Sequence, residues 1–229
     1  MALKYVVEYD SVAKIGDKEI HFKPWNTKNE KDYLIAVESE EEITDKLLYE
    51  ILIKPCLKDP NLILSDNEQK MLMIQIRKKS IGSTFPMRFS CIKCGQVNDI
   101  DISFDKIVKF EPDNFKNVII EDLEFEFGPI VSENLKDRLN NLDSNVEYSF
   151  VEFLVHIRSI TINGEKEDTF TFDELKDFIE NLPTYIFDEA YKEFSDMKSK
   201  LEFDFSTNCI ICGAENKIDF DSIPSFLWM

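Results

Sequence analysis

The chain has 229 residues, enough for one large domain or two small ones, and 43% of them are hydrophobic, so a core can form without disulfides. With 27 Lys and Arg against 45 Asp and Glu, the formal charge is −18, which argues against a nucleic-acid binder held by phosphate contacts. No stretch approaches the roughly 20 uninterrupted apolar residues of a membrane helix, and residues 1–8 lack the basic-then-apolar layout of a signal peptide. A soluble, intracellular protein without membrane insertion is expected.

Residues 4–9 alternate around Tyr5, Val7 and Tyr9, and residues 19–23 resume an extended pattern after the turn-like Gly16-Asp17, which predicts an N-terminal β-hairpin. Thr27 or Asn29 can cap a helix carrying Tyr33, Leu34 and Val37. Thr44 can cap a second, bearing Leu47, Leu48, Ile51 and Leu52 and ended by Pro55. A third helix starts near Ser65, has Asp66 and Glu68 in its first turn, carries Met71, Leu72, Ile74 and Ile76, and closes on Arg77, Lys78 and Lys79. That charge order suits the helix macrodipole.

After Gly82 the period becomes two: Phe85, Met87 and Phe89 lead into Cys91, and Ile100, Ile102 and Phe104 lead away from Cys94. Residues 117–127 again look extended. From Ser132 the chain reads as mainly helical, with residues 149–157 a short apolar segment and Thr161-Ile162-Asn163-Gly164 a hairpin turn. Thr171 can cap a helix that Asn181-Leu182-Pro183 breaks, and residues 185–198 form one more. Leu201, Phe203 and Phe205 then alternate into Cys209, and Ile218 and Phe220 alternate away from Cys212.

With only 6 Gly there is no flexible tether, so the parts are expected to form one composite α+β unit. Its divisions are residues 1–110 (hairpin, helices and first knuckle), 111–200 (an inserted, mainly helical lobe) and 201–229 (second knuckle and aromatic tail).

The sharpest signal is an internal repeat. Residues 91–101 and 209–219 share the pattern C-I-x-C-G-x-x-N-x-I-D. Two residues between cysteines let both sulfurs reach one ion, and the Gly after the second Cys allows the positive φ with which the chain folds back beneath it. Cys91, Cys94, Cys209 and Cys212 are therefore the candidate ligands of one structural zinc ion, which would close two distant hairpins into a split zinc ribbon. Residues 95–208 intervene, where an ordinary ribbon has some 15–20. Closing so long a loop costs roughly 4 kcal/mol more than a minimal one, against roughly 10–16 kcal/mol from a structural zinc. The alternatives are iron in the same site, an iron–sulfur cluster, a redox C-x-x-C or two unliganded knuckles; a redox motif would sit at a helix start, whereas both motifs lie between strands. Cys56, left over, reads as a small buried apolar residue.

No catalytic constellation is present. His21 and His156 are isolated and read as structural histidines, and there is no Gly-rich phosphate loop, H-E-x-x-H or EF-hand spacing. Neither an enzyme nor a small-molecule substrate is expected. The tail ends on Phe226, Leu227 and Trp228, apolar residues that should dock on the protein's own core or anchor a partner subunit. The 19 Phe exceed what one modest core would take, so some are expected at interfaces.

Several stretches together resemble the baseplate hub assembly proteins of T4-like contractile-tailed bacteriophages. They are His21-Phe22-Lys23-Pro24-Trp25, residues 30–39, residues 72–82, the two knuckles and the short aromatic tail, in that order. Family knuckles often read C-P-x-C-G, and Ile92 and Ile210 stand here where Pro is common. The resemblance implies a non-enzymatic role in building the tail baseplate hub, as a chaperone that leaves or a subunit that stays in the virion. It implies other hub proteins as partners and the host cytoplasm as the place of assembly. The rival readings are a zinc-ribbon nucleic-acid-binding or transcription-related protein, which the charge opposes, and an enzyme on a ribbon scaffold, which lacks a nucleophile and base.

Overall fold

The computed structural model describes residues 8–39, 44–130 and 145–218. The fold is mixed α and β, in two compact units: Met1–Pro112 with Ser199–Met229, and Asp113–Lys198.

In the first unit, β1 (Ser11–Ile15) and β2 (Lys18–Phe22) form an antiparallel hairpin whose turn contains Gly16 at φ 57. The turn lies where the sequence places it, and the strand that pairs across it is Ser11–Ile15; of the strand expected at residues 4–9, residues 4–7 lie outside the described residues. The two-residue turn sets the register, so the five residues before it pair with the five after, and Ala13 and Ile15 face the core beside Ile20 and Phe22. Helix α1 (Thr27–Glu38) is capped by Asn26, with Asn29 as the reciprocal third-residue partner; neither Thr27 nor Asn29 is itself the cap. Leu34 and Val37, read as its apolar stripe, are exposed.

The second helix begins as α2 (Asp45–Leu48), widens to i→i+5 bonding over Tyr49–Ile53 and tightens into a 3-10 turn at Lys54–Cys56. Pro55 causes this, because it has no N–H for the Ile51 carbonyl four residues earlier. The Asn29 side chain donates to that carbonyl instead (3.1 Å), and the Trp25 indole N–H donates to the Leu52 carbonyl (2.7 Å). Helix α3 (Asp66–Ser80) starts where expected and is capped by Ser65, and the Glu68 carboxylate serves both the Ser65 N–H and Lys18. Arg77 is not a solvated helix end. It is fully buried, lies over the Phe104 ring and donates to the Gly82 carbonyl.

Next come β3 (Thr84–Ser90) and β4 (Val97–Ser103), an antiparallel pair, then α4 (Phe104–Ile107) and β5 (Val108–Glu111). The chain rejoins this unit at Ser199, and β10 (Lys200–Phe203) pairs antiparallel with β5. After Asp204, β11 (Phe205–Asn208) pairs with β12 (Glu215–Ile218). One core joins Phe22, Leu52, Leu72, Ile76, Phe85 and Phe104.

The second unit was expected to be mainly helical, and it also carries a four-stranded antiparallel sheet. The strands β6 (Asn117–Ile120), β7 (Leu123–Phe127), β8 (Ile157–Ile162) and β9 (Glu165–Glu167) neighbour one another in that order. Helices α5 (Asn145–His156), α6 (Phe172–Glu180, capped by Thr171) and α7 (Thr184–Met197) complete it. The apolar run at residues 149–157 therefore belongs to a helix until β8 begins. Phe125, Phe127, Phe153 and Phe194 pack ring against ring at the centre.

The many phenylalanines are thus divided between two cores. None of the described ones is exposed, though several, such as Phe89 and Phe170, are only half-buried; Phe220 and Phe226 lie outside the described residues. Among the described residues, no helix is long and apolar enough to cross a membrane.

Candidate metal centre

The two C-x-x-C motifs sit in the loops of the hairpins β3–β4 and β11–β12. Each loop folds by the same bonds. The Cys91 N–H donates to the Gln96 carbonyl (2.9 Å) and the Gly95 N–H to the Cys91 carbonyl (2.9 Å); the Cys209 N–H donates to Ala214 (2.8 Å) and the Gly213 N–H to Cys209 (2.9 Å). Gly95 and Gly213 both stand at φ 70, a left-handed conformation that a side chain would strain. The shared pattern makes matching turns.

The loops bring all four cysteines together although they are far apart in sequence. The four Sγ atoms lie within 4.8 Å of one another and could hold a metal ion. Across the loops, Cys91 faces Cys212 and Cys94 faces Cys209, both at 3.7 Å. Cys91 and Cys209 are buried, while Cys94 and Cys212 are exposed.

The turn geometry separates the thiols. The Cys94 N–H, aided by the Lys93 N–H, lowers the Cys91 pKa, and the Cys212 and Ile211 N–H groups do the same for Cys209. Cys94 feels the Gln96 N–H in the lowering sense, but burial and protons shared with Cys212, Cys91 and Cys209 push it up. Four thiols this close cannot all ionise on their own, and a divalent cation would remove that restriction.

Two residues of the repeat that sequence reasoning left without a role complete the site. Asn98 and Asn216, at matching places in the two motifs, are buried, and each crosses to the other loop: the Ile210 N–H donates to Asn98 Oδ1 and the Ile92 N–H to Asn216 Oδ1, both at 2.9 Å. The signal that could have found them is their recurrence seven residues after each first cysteine. The same bonds give a physical reason for isoleucine where the resemblance leads one to expect proline, since proline has no N–H to offer.

The other candidates fall outside this centre. Cys56 is fully buried in the core, and desolvation pushes its thiol up to about 12. His156, in the second unit, is buried, its Nδ1 lies 2.8 Å from the Gly128 carbonyl, and burial brings its pKa down to about 4. It is a satisfied structural histidine. His21 is exposed on β2 in the first unit. Phe226, Leu227 and Trp228 lie outside the described residues.

No curated protein and no solved structure matches the chain. The family model described as T4 bacteriophage base plate protein matches residues 6–228, nearly the whole length and both cysteine motifs. The chain therefore belongs to the T4 bacteriophage base plate protein family.

Proposed function

We propose that this protein is a non-enzymatic component of the baseplate hub of a contractile phage tail, acting as a hub assembly factor or a resident subunit, and that one structural zinc ion at Cys91, Cys94, Cys209 and Cys212 fixes the surface it offers to other hub proteins. The observation that carries the reading is the family match over residues 6–228, which makes the chain a structural baseplate protein. Its narrower terms, hub and zinc, are supported by the resemblance of the quoted stretches and by the chemistry of the cysteine cluster.

Zinc fits the donor set. Thiolates at about 2.3 Å in a tetrahedron stand about 3.8 Å apart, and the two cross-loop sulfur pairs stand at 3.7 Å. When bound, the ion would supply a fixed cross-link and no open coordination position, which suits a structural role. The chain's own residues present Ile92, Ile210 and Ile211 at 82%, 70% and 67% exposure around it, an apolar loop tip consistent with contact to another protein. The proposed arrangement is an insertion between two knuckle-bearing segments, with the aromatic tail as a second contact to partners. Assembly would begin in the host cytoplasm and end at the virion tail.

Co-purification with hub proteins, read by mass spectrometry from tail intermediates and from mature particles, tests this. Recovery with hub components in intermediates supports the reading, and presence or absence in mature particles separates subunit from chaperone. Recovery with no other baseplate protein from either source would contradict it. The nucleic-acid alternative is not favoured: at a net charge of −18, binding of duplex DNA at low ionic strength is expected to be undetectable.

A further inference from the structure

We infer that Asn98 and Asn216 form a reciprocal clasp that holds the two cysteine loops in register and orients their sulfurs, so that the metal enters a site already assembled. The inference rests on the proposed metal centre and concerns residues that are not themselves ligands.

Both asparagines are buried, at 0% and 2% exposure, where an amide without partners would be costly. Each makes the same set of bonds. Within its own loop, the Nδ2 group donates to a carbonyl two residues earlier, Gln96 for Asn98 (2.9 Å) and Ala214 for Asn216 (2.8 Å). Across to the other loop, the Oδ1 atom accepts from the backbone N–H that directly follows the first cysteine, at 2.9 Å in both directions. On one side the amide also reaches sulfur in the opposite loop, Asn216 Nδ2 lying 3.7 Å from Cys91 Sγ.

The arrangement is two-fold in its bonding, as the sequence repeat is two-fold in its letters. Each amide is fixed by its own loop and then grips the backbone beside the buried cysteine of the other. None of these bonds needs a metal. An N–H directed at a thiolate stabilises it and limits its rotation, which is the effect of outer-shell partners on metal ligands. Asn98 and Asn216 are thus positioning residues, and the clasp offsets part of the cost of bringing the loops together across the long intervening sequence.

The test uses the full-length chain stripped of metal and titrated with Co2+ alone, followed by its thiolate charge-transfer absorption, with Zn2+ affinity taken from competition against a chelator. Asn98→Ala and Asn216→Ala are each expected to weaken affinity about 10–100-fold, while Asn208→Ala, an exposed neighbour on β11, leaves it unchanged. Asn216→Asp keeps the acceptor and the shape but loses the donor and adds charge beside the thiolates, and it too should bind more weakly. Amide hydrogen exchange on the metal-free proteins provides the second readout, with a crosswise result expected: Asn216→Ala speeds exchange at Ile92, and Asn98→Ala at Ile210. Wild-type affinity in both alanine variants, or exchange that rises uniformly over the hairpins without the crosswise pattern, would overturn the clasp. Failure of the wild-type chain to develop the cobalt–thiolate band would overturn the metal reading itself, and the exchange pattern would still decide whether the clasp exists.

Discussion

At the scale of single residues, the fate of each candidate follows from burial and partners rather than from residue type. His156 has a depressed pKa because its site is dry. The unfolded chain takes up the proton near 6.5 and the folded chain only near 4, so the unfolded state binds more protons between those values. Stability is therefore full above about pH 6.5 and falls as the pH drops toward 4, by up to about 3 kcal/mol. Urea unfolding across that range should show a steeper decline for the wild type than for His156→Asn, which keeps a donor near Gly128 but does not titrate. Equal slopes would remove the histidine from the account. Cys56 gives a second test. Its buried thiol should resist alkylation in the native, metal-free protein while Cys212, which is exposed, reacts; mass mapping of the modified sites reads this directly.

At the scale of elements, the sequence was legible where the governing interactions are local. Helix α3 reads correctly because Ser65, Glu68 and the apolar spacing lie within a few turns, and the two C-x-x-C turns are legible as a repeat because each is one short turn around Gly. The hairpin turn at Gly16-Asp17 was legible, and pairing counts outward from it, which makes Ser11–Ile15 the partner of Lys18–Phe22; residues 4–7 of the expected strand lie outside the described residues. The cap of α1 was missed by one residue because three Asn or Thr side chains compete at its start and only tertiary contact with the Ile51 carbonyl decides. The sheet of the second unit was only half visible: β7 joins β8 across the interval containing α5, and alternation in one strand does not name its partner. Nor does it name the partner of β5, which is β10.

The same reasoning makes Asn29 the sensitive residue of α1, since it both completes the cap and satisfies the carbonyl that Pro55 leaves without an N–H. Asn29→Ala should cost about 1–3 kcal/mol in denaturant unfolding, whereas Asn29→Asp, which restores the cap acceptor but not the donor, should recover only part. Full recovery by the aspartate would show that the bond to Ile51 carries no weight.

For the whole molecule, the cysteine cluster brings together hairpins from two distant parts of the sequence, and it does so within one unit. The pairing of β5 with β10 brings neighbouring segments together independently, so under the proposed zinc the junction would have two supports, one of backbone bonds and one of metal–sulfur bonds. Chelation should therefore loosen β3, β4, β11 and β12 without unfolding the chain. Hydrogen exchange is expected to accelerate in those strands and to leave β7 and β8, which belong to the separate aromatic core, unchanged. Uniform acceleration in both units would contradict that division.

The central claim is that four thiolates from distant parts of a baseplate-family chain hold one structural zinc. Native mass spectrometry of the purified full-length protein tests it most directly. The account predicts one zinc per chain in the wild type and no retained metal in Cys209→Ser. A metal-free wild type, or a Cys209→Ser protein that keeps one full equivalent of zinc, would contradict it.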